Sequence, residues 1–381
     1  MKQIVFSKQF LAASLALLLL LVSACSAPVQ ESQTDEVTTK ENTQSEEAIT
    51  SEDTIGQESE PDSSTESSSE KEEESMTQVK EDSGFRLIGY MPNWYDRSVL
   101  DTVRLEAYTH INYAFAIPKE DGTMRPLPND AFTNKLIEKA HAAGVKVLLS
   151  VGGWSYQEIP LEATFVKATE TAEKCELLAQ SIVAQAVQYG FDGVDLDWEH
   201  PNEQTAAQYE ALVKALRVQC DEHGLYLTCA VIGGPSMDLA ITDEAAAQFD
   251  WINAMGYDGG EGEEHSPLSL AVDYITYWTQ TRGIAKDKVV IGVPFYERPS
   301  WASYDALVAA DPQNAYSDTA NYMGGTVYYN GIPTMKEKTS YAVENAGGIM
   351  IWQIVQDTKD PELSLLSAII ETLREAGVYN K

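Results

Sequence analysis

From Phe85 onward the chain alternates short apolar runs with longer amphipathic stretches. The runs F-R-L-I-G-Y-M (85–91), H-I-N-Y-A-F-A (110–116), V-K-V-L-L-S-V (145–151), F-D-G-V-D-L-D-W-E (191–199), L-Y-L-T-C-A-V (225–231), D-W-I-N-A-M-G-Y (250–257), K-V-V-I-G-V-P (288–294) and G-I-M-I-W-Q-I (348–354) have the length of strands. Between them, stretches such as N-D-A-F-T-N-K-L-I-E-K-A-H-A-A-G and E-K-C-E-L-L-A-Q-S-I-V-A-Q-A-V-Q-Y-G space apolar side chains three and four apart and close on Gly. That pattern predicts helices with glycine C-caps. Strands alternating with helices predict a parallel sheet, and eight of them predict an α/β fold of the closed (β/α)8 TIM barrel kind. An open doubly wound sheet competes with it, but no G-x-G-x-x-G opens the first helix.

The fourth run departs from the others. Successive side chains of a strand point to opposite faces, so Asp195, Asp197 and Glu199 stand in a row while Val194, Leu196 and Trp198 face the other way. Like charges spaced about 6 to 7 Å apart raise one another's pKa and share protons. A row that costly points to chemistry. Barrel active sites form at the C-terminal ends of the strands, where this sequence places Tyr90, then Ser150 with Gly152, Gly153 and Trp154, then Glu199, then Tyr257 and Asp258, then Tyr296 and Arg298, and finally Trp352. Each alone reads as packing; their convergence on one barrel mouth reads as a site.

The residues before Phe85 follow no such pattern. Lys2 and Lys8 precede the run L-A-A-S-L-A-L-L-L-L-L and then V-S-A-C, which reads as a secretion signal over residues 1–24. The small residues before Cys25 resemble a bacterial lipobox, which would leave Cys25 as a lipidated N-terminus. Residues 25–84 hold 18 acidic residues against three lysines between Ser26 and Ser83, 3 − 18 = −15 of the formal −33, and no aromatic residue. Such a segment buries too little apolar surface to offset its ordering entropy, so it reads as a disordered Ser/Glu-rich tether. The expected domains are therefore signal, tether, and a barrel over 85–381. The acidic charge disfavours a nucleic-acid partner, and Cys175, Cys220 and Cys229 have neither zinc-site nor disulfide-scaffold spacing. The five histidines form no H-E-x-x-H. No cofactor and no metal is expected, and membrane contact is expected through the lipid anchor only, on the outer face of a bacterial cell membrane.

The motif D-G-V-D-L-D-W-E (192–199) resembles the D-x-x-D-x-D-x-E signature of the glycoside hydrolase family 18 chitinases, and S-V-G-G-W (150–154), M-G-Y-D (255–258) and Trp352 are similar to its other landmarks in the same order. The resemblance implies a retaining hydrolysis in which the substrate's N-acetyl carbonyl attacks the anomeric carbon, an exception to the two-carboxylate rule. It implies that Glu199 protonates the glycosidic oxygen, that Asp197 orients the acetamido group, that Asp195 shares a proton with Asp197, and that Tyr257 binds the acetamido oxygen. Trp352 would floor the reacting sugar with Met255 beside it. Trp94 and Trp154 suit the apolar faces of sugar rings. His200 and Glu297 depart from the family, which commonly has Tyr and Gly there. About 35 to 40 residues separate Arg298 from the helix near Met335, too few for a full insertion domain and read here as a long loop beside a shallow groove. The expected partner is an N-acetylglucosamine-containing polysaccharide or oligosaccharide, acted on by a monomer. Cleavage of N-glycans or peptidoglycan and a non-catalytic lectin stay open as alternatives, while the strand-like alternation of the row argues against a metal-dependent hydrolase and the helices between strands against a β-sandwich glycosidase.

Overall fold

The computed structural model describes residues 84–234, 240–379 and 381. The expected signal peptide, Cys25 and the expected tether up to residue 83 lie outside the described residues. Eight parallel strands close into a barrel: β1 (Arg86–Pro92), β2 (His110–Ala116), β3 (Lys146–Gly152), β4 (Gly193–Asp197), β5 (Tyr226–Val231), β6 (Trp251–Ala254), β7 (Val289–Pro294) and β8 (Gly348–Trp352). Closure is made by β1 pairing with both β2 and β8, with Ile88 opposite His110 on one side and Met350 on the other.

The local chemistry explains where the intervening helices begin and end. Asn129 accepts from the Phe132 amide at the start of the helix Asp130–Ala142, and Thr171 accepts from the Lys174 amide ahead of Ala172–Tyr189. Both satisfy amide groups that have no partner inside the helix. Gly190 ends the second of these helices at φ 82°, a left-handed conformation that glycine adopts without a Cβ clash.

Two apolar layers result. The outward side chains of β4 pack under the helices, where Trp198, just past the strand, stacks on Phe165 with centroids 4.7 Å apart and planes 9° apart. The inward layer fills the barrel with Ile88, Tyr90, Leu148, Tyr226, Trp251, Val290 and Met350. Burying each large side chain contributes about 1.5–3 kcal/mol, so the barrel interior is a packed core and not a pore. At its lower end the Arg86 guanidinium lies 4.6 Å from the Trp251 ring, and burial, with Arg86 beside it, lowers His110 to about 3.

Two expectations are corrected. The fourth strand stops at Asp197, two residues before Glu199, which belongs to the loop beyond it. The segment between Arg298 and Met335 is no bare loop: it holds a helix (Tyr304–Ala310) and an antiparallel hairpin (Thr319–Tyr322 with Gly325–Tyr328). Cys175, Cys220 and Cys229 are buried thiols with no disulfide among them. Among the described residues no helix is long and apolar enough to cross a membrane.

Candidate active site

β4 delivers the acidic row to the barrel axis, but its three members meet different surroundings. Asp195 is fully buried. Its Oδ2 accepts from the Tyr90 hydroxyl at 2.7 Å and the Ser150 hydroxyl at 2.8 Å; its Oδ1 accepts from Thr228 at 2.6 Å and the Asn253 amide at 3.0 Å. Burial raises its pKa and these four donors, from β1, β3, β5 and β6, pull it back. Asp197 is nearly as buried, and its Oδ1 has no hydrogen-bond partner among the described residues. Burial, then the charges of Glu199 and Asp195, raise its pKa well above the usual carboxylate range.

Glu199 is half-buried, and its carboxyl group is pushed up to about 7 by burial and by the negative charge of Asp258. The nearest cation candidate is His200, whose Nε2 lies 3.5 Å from Oε2. Burial lowers that imidazole to about 4, so it is neutral at physiological pH and leaves Glu199 its proton.

These carboxyl groups open on a cavity of about 560 Å³. Trp352 floors it, with the Phe115 ring stacked 5.7 Å away at 24° and Tyr90 edge-on at 5.6 Å. Trp94 and Trp154 stand on its rim, 59% and 61% exposed. Apolar surface that large is left open to water where a ligand covers it. A neighbouring depression of about 460 Å³ shares Trp154, Glu199 and His200 with it, so the cleft runs past the acid on both sides.

Tyr257 also lines the cavity, and among the described residues its hydroxyl has one hydrogen-bond partner, the Met350 sulfur at 4.0 Å. Burial and the surrounding carboxylates raise its pKa well above the usual phenol value, which keeps it a neutral donor. Asp258, at φ 55°, accepts from the Tyr296 hydroxyl at 2.7 Å and lies 3.0 Å from His265 Nδ1 and 3.6 Å from Arg298. Burial pushes its pKa up, but His265 and Tyr296 outweigh that and hold it below the usual range. It therefore stays anionic and acts on Glu199 as a fixed negative charge.

Of the residues expected to touch substrate, Tyr90, Trp94, Trp154, Met255, Tyr257, Asp258, Tyr296, Arg298 and Trp352 line the cavity with Asp197 and Glu199. Ser150 and Gly153 do not. Ser150 is fully buried behind the wall as a donor to Asp195. Gly153, at φ 87°, leaves room for Phe115, whose ring a Cβ would meet at 2.8 Å. Gly152 is tighter still: at φ 119° its Cβ would come within 2.1 Å of the Asp197 carbonyl oxygen. Four other groups occupy the Asp195 oxygens, and Asp195 acts on Asp197 through its charge. Sequence reasoning missed Thr228, Asn253, Phe115 and Trp301. The first two carry a signal in hindsight, each a polar residue on the inward phase of an apolar run.

Among the described residues no group of three or more His, Cys, Asp or Glu side chains is arranged to hold a metal ion. What the site can do is donate a proton near neutral pH, beside a fixed anion and above an aromatic floor.

The glycosyl hydrolases family 18 model matches residues 86–357. A probable endochitinase of Caenorhabditis elegans is 31% identical over 229 residues, 50% of this chain and 36% of that one. An endochitinase of Brugia malayi is 30% identical over 64% of this chain and 55% of its own length. The chain thus spans about a third and about half of the lengths of these two curated relatives. Among solved structures, a chitinase from Bacteroides thetaiotaomicron superposes with TM-score 0.69 at 28% identity, over 78% of this chain and 99% of that one. A family 18 chitinase from the chitin utilization locus of Flavobacterium johnsoniae gives 0.68 at 26%, over 77% and 95%.

Proposed function

The chain belongs to glycosyl hydrolase family 18, and on that premise we propose that it hydrolyses the β-1,4 N-acetylglucosaminyl linkages of chitin and chitooligosaccharides with retention of configuration. The observation that carries the reading is Glu199: a carboxyl group at about 7, flanked by Asp197 and facing Tyr257 across a Trp352 floor. The relatives named above are chitinases by name, which supports the same substrate class.

The sugar ring whose C1–O bond breaks lies on Trp352. Glu199 gives its proton to the glycosidic oxygen as that bond opens, and the acetamido carbonyl oxygen of the same sugar closes on C1 to form an oxazolinium ion. Asp197 accepts the acetamido N–H and balances the positive charge. Its unpartnered Oδ1 is the acceptor that this step requires. Tyr257 donates its hydroxyl to the acetamido oxygen, a task for which a phenol that stays neutral is suited. Water then adds to C1 from the side the leaving group vacated and returns a proton to Glu199. Asp195, clamped by four donors, fixes the base of the row.

The substrate assignment is tested by product profiles on chitohexaose, peptidoglycan and a high-mannose glycopeptide. Cleavage of chitohexaose is expected; cleavage of either other substrate alone would replace chitin as the substrate.

The same reading extends to the whole chain as a proposal from sequence. Residues 1–24 are a lipoprotein signal, Cys25 carries the anchor, 25–84 are a tether, and 85–381 form the catalytic unit on the outer face of a bacterial membrane. The V-S-A-C stretch and the acidic, aromatic-free composition support it.

A further inference from the structure

Glu297 is a charged residue with no exposure at all, three positions after β7 and outside the catalytic row. Its carboxylate serves a single loop. Oε1 accepts from the Ala302 amide at 2.7 Å and from the Ser300 hydroxyl, and Oε2 accepts from the Ser300 amide at 3.2 Å. The backbone closes the same turn: the Glu297 amide donates to the Ala302 carbonyl at 2.9 Å, and the Trp301 amide to the Glu297 carbonyl at 3.1 Å. A buried carboxylate is costly unless such donors compensate it. Here they all come from residues 300–302.

What that turn holds out is Trp301. Its φ is 62°, a left-handed conformation that a large side chain adopts only when its surroundings impose it. Its ring stacks on Tyr296 with centroids 5.3 Å apart and planes 11° apart, and the Arg298 guanidinium lies 3.9 Å from its centroid. Both contacts lie on the face of the ring and fix its plane, yet the residue remains 55% exposed and lines the cavity. The indole covers Tyr296 but is not itself part of the buried core of the barrel. Its geometry is that of a rigid platform which loses little entropy when a sugar ring covers it.

We propose that Trp301 is a sugar-binding platform that adds a subsite to the cleft and sets its preference for longer N-acetylglucosamine oligomers, with Glu297 as the positioning residue that holds it. This rests on the proposed chitooligosaccharide hydrolysis and deepens it.

The test is the dependence of KM and kcat on oligomer length, from trimer to hexamer, in the full-length protein. In the wild type KM falls as the oligomer lengthens. In Trp301→Ala that fall is lost, with KM for the hexamer raised about tenfold, equivalent to about 1.4 kcal/mol, and the loss appears in KM rather than kcat. Trp301→Phe, a smaller platform, restores part of it. In Glu297→Gln an amide nitrogen meets donors it cannot accept from, so the same length dependence is blunted. The double variant is no worse than Trp301→Ala, since both remove one platform. Melting temperatures identify any variant that fails to fold, and Trp301→Ala, altering an exposed ring, keeps the test alive if Glu297→Gln does. Wild-type cleavage with an unchanged length dependence in Trp301→Ala would overturn the platform and leave the substrate reading standing. A wild type that neither binds nor cleaves the series would overturn the substrate reading and the platform with it.

Discussion

Glu199 is poised by its neighbours, and its ionisation can be followed through the pH dependence of turnover. A general acid must carry its proton, and burial with Asp258 raises that proton's pKa to about 7. The kcat/KM profile, which reports the free enzyme, is therefore expected to fall as pH rises through about 7, with Asp197 and Glu199 titrating as a pair. Asp258→Asn removes a negative charge that opposes ionisation, so the falling limb should move to lower pH; a limb that stays put would deny Asp258 this role. Glu199→Gln is expected to lower kcat by about 10²- to 10⁴-fold while calorimetry still detects oligosaccharide binding. Most of the site's acid and aromatic residues were legible in the sequence because a row of charges inside an apolar strand is too costly to serve packing. Thr228 and Asn253 were not, since a lone polar residue in L-Y-L-T-C-A-V or D-W-I-N-A-M-G-Y reads equally as a satisfied core group. Nor was Ser150's retreat behind the wall, which depends on Asp195 turning its Oδ2 toward it.

At the scale of the element, the eight strands were readable to within a few residues because each is an apolar run bounded by polar or glycine residues, and burial on both faces leaves few other ways to place it. The ends were less readable. Glu199 continues the alternation of β4, so only the course of the backbone shows that the strand has ended. The hairpin T-A-N-Y and G-T-V-Y has short, half-exposed strands without a strong apolar phase, and pattern alone therefore reads it as loop. The last residue of β3 gives a sharper test of the geometry. Gly152 has φ 119° and abuts the Asp197 carbonyl, so Gly152→Ala should destabilise the protein by about 1–3 kcal/mol from backbone strain alone, with the close contact adding to it, and displace the end of β4. A urea midpoint equal to the wild type's would show that the backbone yields there at no cost.

The whole molecule divides its charge unevenly. Of the formal −33, the stretch from Ser26 to Ser83 accounts for 3 − 18 = −15, and the remainder belongs largely to the residues of the barrel, where the proposed neutral substrate would need no electrostatic steering. If Cys25 carries the anchor, wild-type protein partitions with the membrane fraction. Cys25→Ala then alters processing or retention without changing turnover at the barrel; wild-type protein found wholly in the culture supernatant, without an acyl group at Cys25, would remove that proposal. Catalysis itself stands on a different claim, that the substrate's acetamido group is the nucleophile and Asp197 its counter-charge. Deacetylated oligomers, with no carbonyl to attack, are expected to resist cleavage, and Asp197→Asn to be severely impaired. The most direct measurement is the anomer first formed from a β-linked N-acetylglucosamine oligomer, followed by proton NMR before mutarotation. Attack by the acetamido group requires the β-anomer. An initial α-anomer would contradict it, because inversion proceeds by water activated at a second carboxylate and leaves the acetamido group no part in the reaction.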